Sequence, residues 1–373
     1  MSKQIHRRTV LKAAMAGAGL IGAGPLLSAR PAKAAPEELT MLSWYGHAEP
    51  DAVAEFEEVN NVRIKKKYYV GGDQMLALLA QSPPGTYDVI LTDREYVEQL
   101  VAADMIERLS PEDYPFDDFF PEFQKFPGHW MGDDLYSVMI RFGYLGLSYN
   151  TAVLTEKDAM SYAVMWDDKV KGRVGHFDWH LPNFGVVSQF DGNADPFDLS
   201  DDRWQAVQDR VFSLKPQVAG YFDYGGVLSS LRSGEVAAIP GIGDWITGVL
   251  QRDGATVATA IPEEGGLMWA ESLSIGKGSR RPDLAQRFIQ YMTSPAGQVR
   301  TAKLQAYPAL LPTEGGWKAL QASDPDEAAR QGMVASGPNA MDLLRNGRIK
   351  PRALPVRQSL EAWNDAWSRY KNL

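Results

Sequence analysis

The chain has 373 residues, of which 45% are hydrophobic and 23% charged, and these values indicate a folded protein large enough for two domains with separate cores. It contains no cysteine, which excludes disulfide bonds, thiolate metal sites and a cysteine nucleophile. The formal net charge of −9 argues against nucleic acid and anionic lipid as partners.

Residues 1–34 have the pattern of a cleaved export signal. Arg7 and Arg8 precede an apolar run rich in glycine and alanine, and small residues at 32–34 suit a signal peptidase. The apolar run is shorter than the roughly 20 residues that span a membrane. We therefore expect cleavage near Ala34 and a periplasmic location.

The route of export has two candidates. The arginine pair and the TVLK that follows resemble the twin-arginine signal, although His6 and Val10 stand where that signal prefers a small polar residue and phenylalanine. The general secretory route is the alternative. Cleavage would remove six basic residues and no acidic one, which leaves 32 basic against 47 acidic residues and a formal charge of −15. A chain of this charge attracts cations.

The beginning of the mature chain alternates strand-like and helix-like segments. Apolar, β-branched or aromatic runs predict strands at 39–45, 62–70 and 87–91. Apolar residues at helical spacing predict helices at 51–59 and 72–81, the second of which is followed by two prolines. This βαβαβ order predicts a mostly parallel sheet with helices on both faces.

The same alternation continues to the end of the chain. Further strands are predicted at 143–150, 173–179, 236–240 and 256–262. Further helices are predicted at 201–214, 280–294 and 359–372. The last helix places Leu360, Trp363, Trp367 and Tyr370 on one face, which we interpret as packing.

The stretch PEEGGLMWAESLSI, residues 262–275, contains an unusual pair of side chains. Two glycines end a polar turn, and a predicted strand then carries Glu271 two residues after Trp269. A carboxylate within an apolar strand is costly unless it has a partner or a purpose. We therefore expect Glu271 to serve a function.

Familiar catalytic motifs are absent from the sequence. It has no GxGxxG that opens a helix after a strand, no phosphate-binding loop, no HExxH and no GxSxG. The stretch HFDWH places His176, Asp178 and His180 at alternate positions, which would share one face of a strand, as metal ligands can. The alternative is a strand end whose polar side chains meet solvent or a cleft. No further ligand cluster lies nearby, and we expect neither a metal nor a cofactor.

Six stretches follow one another in an order typical of a known family. They are LSWYGHAEPDAVAEFEEVNNVRI, GTYDVILTDREYVEQLVAADMIERLS, YLGLSYNT, LRSGEVAAIPGIGDW, IPEEGGLMWAESLSI and QAYP. Over residues 41–315 the chain thereby resembles the periplasmic substrate-binding proteins of polyamine (spermidine/putrescine) ABC importers.

The resemblance implies an α/β fold of two lobes, each a mostly parallel sheet with helices on both faces. The ligand would lie in the cleft between the lobes, which close over it by a hinge motion. Segments that cross between lobes are expected near 142–148, 263–269 and 305–309. The expected N-terminal lobe comprises residues 39–143 and 268–306, and the C-terminal lobe comprises residues 144–264 and 308–373.

The resemblance also implies a set of ligand-binding residues. In polyamine sites, carboxylates hold the ammonium ends and aromatic rings cover the methylene groups, with about 0.5–2 kcal/mol for each cation–π contact. The positions that match or adjoin the family's contacts are Trp44, Tyr45, Thr92, Asp93, Asp178, Trp179, Asp244, Trp245, Trp269, Glu271 and Tyr307. The alternative for each residue is an ordinary role in packing or helix capping.

Two positions depart from the family pattern. Gly241 stands where the family has a tryptophan, and Pro182 stands where it has an acidic residue. One anchor for an ammonium group is therefore missing or replaced. This predicts a shorter or singly charged amine, or an amine with a polar group that Asn183 or His180 meets.

Taken together, these features predict a receptor and not an enzyme. We expect a monomer that captures a polyamine or related organic amine cation and delivers it to an inner-membrane ABC permease, with no nucleic-acid partner. One alternative is a receptor of the same fold for ferric iron or a thiamine-like cation, although Tyr221 and Tyr224 are not the adjacent pair expected of iron binders. The other is a twin-arginine-exported, metal-dependent enzyme that uses His176, Asp178 and His180.

Overall fold

The structure is a computed structural model that describes residues 35–332 and 340–373. The predicted export signal, including the arginine pair and the cleavage site, lies outside the described residues. Within the described ranges, no helix has both the length and the apolar character needed to cross a bilayer.

The predicted elements correspond to observed ones, with ends shifted by a few residues. The strands are β1 (Glu37–Ser43), β2 (Val62–Tyr68), β3 (Val89–Asp93), β4 (Trp130–Met131), β5 (Asp134–Leu135), β6 (Val138–Asn150), β7 (Val174–Phe177), β8 (Val218–Phe222), β9 (Ala238–Gly243), β10 (Val257–Ala260), β11 (Gly266–Ile275) and β12 (Ile349–Pro351). The helices are α1 (Pro50–Asn60), α2 (Gly72–Gln81), α3 (Val97–Ala102), α4 (Pro121–Gln124), α5 (Glu156–Ala159), α6 (His180–Phe190), α7 (Asp201–Phe212), α8 (Tyr224–Ser233), α9 (Asp244–Arg252), α10 (Pro282–Thr293), α11 (Pro295–Ala302), α12 (Glu314–Ser323), α13 (Pro325–Arg330), α14 (Ala340–Arg345) and α15 (Leu360–Lys371).

The main sheet is parallel at both ends and antiparallel in the middle. Its strand order is β2-β1-β3-β11-β6-β9-β7-β8, with β10 beside β6 and β12 beside β11. The pairs β1–β2, β1–β3, β7–β8 and β7–β9 are parallel, whereas β11 and β6 run antiparallel to each other and to their outer neighbours. The parallel ends carry the helices that the βαβ order predicts.

Two large hydrophobic cores lie at the two ends of this sheet. The first surrounds β1, β2 and β3 and includes Phe56 of α1 and Phe288 of α10. The second includes Phe184 of α6 and Trp363 of α15. Strand β6 contributes to both, since Phe142 belongs to the first core and Leu147 to the second. The two ends are thus joined by shared strands, and the lobe boundaries given above stay a prediction.

The C-terminal helix packs as its sequence indicates. Ser359 caps it, because its hydroxyl accepts a hydrogen bond from the backbone of Ala362. Trp363, Trp367 and Tyr370 are buried in the second core. The indole of Trp363 stacks on Trp204 of α7 with ring centroids 4.6 Å apart. The interpretation of this face as packing is confirmed.

Candidate functional site

A cavity lies near the middle of the sheet and is lined from both ends of it. The empty space there is about 540 Å³, including the part that opens to solvent. The lining residues are Trp44, Asp93, Leu145, Phe177, Trp179, Pro182, Gly241, Trp245, Trp269, Glu271, Tyr307 and Arg352. Aromatic rings and three charged groups therefore share one space.

Three charged residues form one row across the sheet at this point. Asp93 of β3 is the cross-strand partner of Glu271 on β11, and Glu271 is in turn the partner of Arg141 on β6. Residues that are directly opposite in a sheet project to the same face. The row therefore places two acidic side chains and then one basic side chain next to one another on the same face of the sheet.

Glu271 is held by two basic side chains. Its Oε2 accepts hydrogen bonds from Nε of Arg141 at 2.6 Å and from Nε2 of His47 at 2.8 Å. Burial alone would raise the pKa of this carboxyl, but the charge of Arg141 and the hydrogen bonds from Arg141 and His47 outweigh burial and lower the pKa to about 2. The expected function of Glu271 stays a prediction, and the structure adds an ion-pair partner, Arg141 on the neighbouring strand. The Oε1 atom has no hydrogen-bond partner among the described residues.

Asp93 shares a second arginine with Glu95. Arg352, which follows β12, places Nη2 2.9 Å from Oδ1 of Asp93 and donates from Nε to Glu95 at 2.6 Å. The other carboxylate oxygen of Asp93 accepts from the indole of Trp44 at 3.3 Å. Burial raises the pKa of Asp93 to about 8, because the charge of Arg352 offsets it only in part and Glu95 adds repulsion. The single guanidinium of Arg352 thus forms ion pairs with two buried carboxyl groups.

Aromatic rings form two groups around the charged row. Tyr307, Trp245 and Tyr224 stack on one another, with centroids 5.6 Å apart for the first two and 4.8 Å apart for Tyr307 and Tyr224. Trp44 and Trp179 form the second group, with centroids 6.4 Å apart. Flat faces in this arrangement suit methylene groups and cationic ends alike.

Glycines allow the closest approaches in the cavity wall. The ring of Trp269 lies directly on Gly143, where a Cβ atom would be 2.5 Å from the indole. Gly241 adopts φ +70° beside Pro182, whose backbone would lie 3.0 Å from an added Cβ. The two positions that depart from the family pattern, Gly241 and Pro182, thus meet in one uncharged part of the wall.

Seven of the eleven predicted site residues line this cavity and four do not. Those that line it are Trp44, Asp93, Trp179, Trp245, Trp269, Glu271 and Tyr307. Tyr45 is exposed and contacts Tyr68 edge to face, and Thr92 is fully buried with its hydroxyl donating to the backbone of Asp93. Both therefore lie beside the cavity without lining it.

The other two predicted acidic residues are engaged elsewhere. Asp178 accepts hydrogen bonds from the indole of Trp367 at 2.7 Å and from the ammonium of Lys371 at 2.8 Å. Asp244 pairs with Arg330 at 2.5 Å and lines a neighbouring cavity. Burial raises the pKa of Asp244, and Arg330 opposes that effect.

The HFDWH stretch is not a single strand, so the predicted common face is wrong. Strand β7 ends at Phe177, and His180 begins α6. His176 bonds to Asn183 at 2.7 Å and to the hydroxyl of Tyr370 at 3.1 Å. The amide of Asn183 donates to the backbone of β7 and its exit turn. No group of three potential metal ligands occurs among the described residues.

The sequence reasoning missed Arg352, Arg141 and His47. Arg141 had a detectable signal, because it is a lone charge in the otherwise apolar run VMIRFGYLGLSY, just as Glu271 is in its own strand. Two apolar strands with one opposite charge each favour pairing in that register. Arg352 had no such signal, since its partners lie more than 250 residues earlier in the chain.

Comparison with known proteins gives consistent matches over most of the chain. The family model described as bacterial extracellular solute-binding protein matches residues 51–349. A putrescine/cadaverine-binding protein of Pseudomonas aeruginosa is 27% identical over 277 residues, which cover 69% of this chain and 75% of that protein. The spermidine/putrescine-binding periplasmic protein of Escherichia coli is 23% identical, with 78% and 82% covered.

A solved structure extends the match to the fold. The spermidine/putrescine ABC transporter substrate-binding protein of Streptococcus pneumoniae superimposes with a TM-score of 0.72 at 15% identity, covering 90% of this chain and 99% of that one. The likeness supports the two-lobed α/β architecture.

Proposed function

The chain belongs to the family of bacterial extracellular solute-binding proteins, and from this we propose that it is a receptor for a polyamine or a related organic amine cation. The ligand would bind in the cavity beside Asp93, Glu271 and the aromatic rings, and the receptor would deliver it to an ABC permease of the inner membrane. Members of the family bind and hand over solutes, so this role involves no catalysis by the chain.

The single observation that supports this proposal best is the composition of the cavity. It combines two carboxyl groups with six aromatic side chains in one space. Rings over an alkyl chain and a carboxylate at an ammonium end are the interactions that organic amines require. The curated relatives named for putrescine, cadaverine and spermidine favour the same ligand class.

The ligand-binding role of the seven cavity-lining residues is part of the proposal. Tyr45, Thr92, Asp178 and Asp244 would contribute indirectly, through the segments that they anchor. Export to the periplasm through the predicted signal, cleavage near Ala34 and a monomeric state complete it. The extracellular character of the family agrees with export.

Calorimetry on ligand-stripped mature protein tests the proposal. Putrescine, cadaverine, spermidine and butylamine would be titrated, and we expect at least one of them to bind with a Kd of about 1 μM, which corresponds to about 8 kcal/mol. If none of the four produced heat, the proposed ligand class would be wrong.

Replacement of one ring locates the binding to this cavity. Trp245→Leu removes an aromatic face beside Tyr307, and we expect affinity to fall about 2- to 30-fold, as loss of one cation–π contact of about 0.5–2 kcal/mol requires. Trp166→Leu is the matched control, because Trp166 packs on Phe190 outside the cavity. Equal effects of the two changes would contradict the assignment of the site.

A further inference from the structure

The cavity already contains a cation that belongs to the protein. Resting on the proposed function, we propose that the ligand carries one ammonium group and, at its other end, an oxygen acceptor such as a carboxylate or an amide, in place of a second ammonium group. Arg352 is the donor that this acceptor meets, and Glu271 is the anchor for the ammonium group.

Arg352 occupies a position that suits the second ammonium of a diamine. Its guanidinium lies 4.4 Å from the centroid of the Trp179 ring and is flanked by the carboxyl groups of Asp93 and Glu95. An aromatic face with carboxylates at its edge is the environment that a cation selects. The chain therefore fills this position with its own side chain, and a ligand ammonium group placed there would meet a like charge.

The guanidinium also keeps a donor free. Arg352 is 4% exposed; its Nε donates to Glu95 and its Nη2 is paired with Asp93, whereas its Nη1 has no hydrogen-bond partner in the described part of the chain. A buried donor without an acceptor costs free energy. A ligand oxygen at the same end of the cavity would satisfy it.

The charges around the cavity sum to a value that suits one ammonium group. Asp93, Glu95 and Glu271 contribute three negative charges when all are ionised, and Arg352 and Arg141 contribute two positive charges. The net charge of these five side chains is −1, which balances one ammonium group but not the charge of +2 on a diamine.

The remaining wall supplies no second anchor. Leu145, Phe177, Pro182 and Gly241 are uncharged and line the cavity beside the charged groups. Glu271 still offers Oε1, with Tyr307 and Trp245 in the same lining. An ammonium group at Glu271 and an acceptor at Arg352 therefore satisfy both ends of one short chain.

A matched series of ligands tests this inference on the mature chain without any mutation. Putrescine, N-acetylputrescine, 4-aminobutanoate and butylamine share an ammonium group on a short alkyl chain and differ at the other end. We expect N-acetylputrescine or 4-aminobutanoate to bind about 10-fold or more tightly than putrescine and butylamine, as one charge-assisted hydrogen bond allows. The relative affinity of N-acetylputrescine and 4-aminobutanoate decides whether the acceptor is an amide or a carboxylate.

Arg352→Gln tests whether the guanidinium causes the preference. We expect the acceptor-bearing ligand to lose about 10-fold or more in affinity and putrescine to gain, because the internal cation is gone and two carboxyl groups are exposed to the ligand. Arg357→Gln is the control, since Arg357 is an exposed arginine paired with Asp198 on the surface. The control should preserve the wild-type ranking.

The outcomes separate this inference from the proposed function. Tightest binding of putrescine, equal binding of butylamine and the acceptor-bearing ligands, or an unchanged ranking in a folded Arg352→Gln protein would overturn the inference and leave an amine receptor in place. Should Arg352→Gln fail to fold, the wild-type series alone decides. Absence of binding by these four ligands and by cadaverine and spermidine would overturn both.

Discussion

At the scale of single residues, the ion pair of Glu271 and Arg141 both sets the strand register and supplies a carboxylate to the cavity. The two side chains are cross-strand partners with Oε2 2.6 Å from Nε, and both are buried. Taking two charges out of water is expensive, and removing only one of them leaves the other uncompensated. The pair therefore fixes the register of β6 against β11 at the point where the cavity needs a carboxylate.

Glu271→Gln should destabilise the protein strongly. We expect the free energy of unfolding to fall by about 3–5 kcal/mol, because Arg141 would remain buried without a counter-charge. Urea denaturation followed by tryptophan fluorescence measures this change. The matched control is Glu361→Gln on the exposed start of α15, where a shift within about 0.5 kcal/mol is expected. A loss of similar size in both variants would refute the argument.

Single residues also mark the limit of what the sequence could predict. Trp269 and Glu271 were identified because a charge in an apolar strand is conspicuous. The same physical argument applies to Arg141, which was overlooked. Arg352 could not be found this way, since an arginine in a polar, proline-rich segment is unremarkable until β12 brings it beside β11. Its role depends on contacts that exist only in the folded chain.

At the scale of elements, the two central strands determine the shape of the cavity. All 13 residues of β6 and all ten of β11 are buried, and strands covered on both faces read as continuous apolar runs. That pattern made them easy to predict as strands. Their antiparallel arrangement within a parallel sheet was not predictable from local pattern, because it is set by the long connections between them.

Gly143 in β6 sets the position of a cavity ring. An added methyl group would lie 2.5 Å from the indole of Trp269, so Gly143→Ala should push that ring from its place. We expect amine affinity to fall by about 5-fold or more, with about 1–3 kcal/mol of lost stability from overpacking. Calorimetry together with thermal unfolding separates the two effects.

Gly225→Ala provides the comparison for this substitution. Gly225 lies in the first turn of α8, and the nearest atom to an added Cβ is 3.8 Å away. Alanine there should leave affinity unchanged and stabilise the helix slightly. Unchanged binding in Gly143→Ala would show that the close contact with Trp269 does not position the ring.

The turn from β7 into α6 shows where local pattern misleads. Alternation of polar and apolar residues in HFDWH suggested a longer strand, yet the chain ends β7 at Phe177 and starts a helix at His180. Asn183 stabilises the turn, because its side-chain amide donates to the backbone carbonyls of Phe177 and Trp179 at 2.8 Å each. Side-chain hydrogen bonds to nearby backbone compete with strand continuation. The side chain of Asn183, which the sequence offered as a partner for a polar group of the ligand, is therefore engaged within the protein.

At the scale of the whole molecule, the histidines couple stability to pH. His47, His129, His176 and His180 are all buried. Burial lowers the pKa of each of them, to about 3 for His129 and to about 4 for His176 and His180. In the unfolded chain the same groups titrate near 6.5. Between pH 6.5 and about 4 the unfolded state therefore binds more protons than the folded state.

Acidification over this window should destabilise the protein. His129, His176 and His180 each contribute a loss of about 1.4 kcal/mol per pH unit, because the stabilising effect of each is complete above pH 6.5 and is lost as the pH falls towards the folded pKa. His47 acts in the same direction. Asp93 and Asp244 act in the opposite direction, since their raised pKa values make the folded state bind more protons. The four histidines outnumber the two carboxyl groups, and the net effect is a lower free energy of unfolding at pH 5 than at pH 7.

His129→Leu assigns one part of this slope to one residue. The Nε2 of His129 is buried without a partner in the described ranges, and the ring packs on Phe126, so leucine removes a titrating group and keeps an apolar contact with Phe126. We expect the slope of unfolding free energy against pH between 6 and 4 to fall by about 1.4 kcal/mol per unit. Urea midpoints at several pH values give that slope. Phe126→Leu should change the stability at every pH and leave the slope as it is, because it alters the packing around His129 without removing a proton site; an unaltered slope in His129→Leu would mean that this imidazole titrates normally despite its burial.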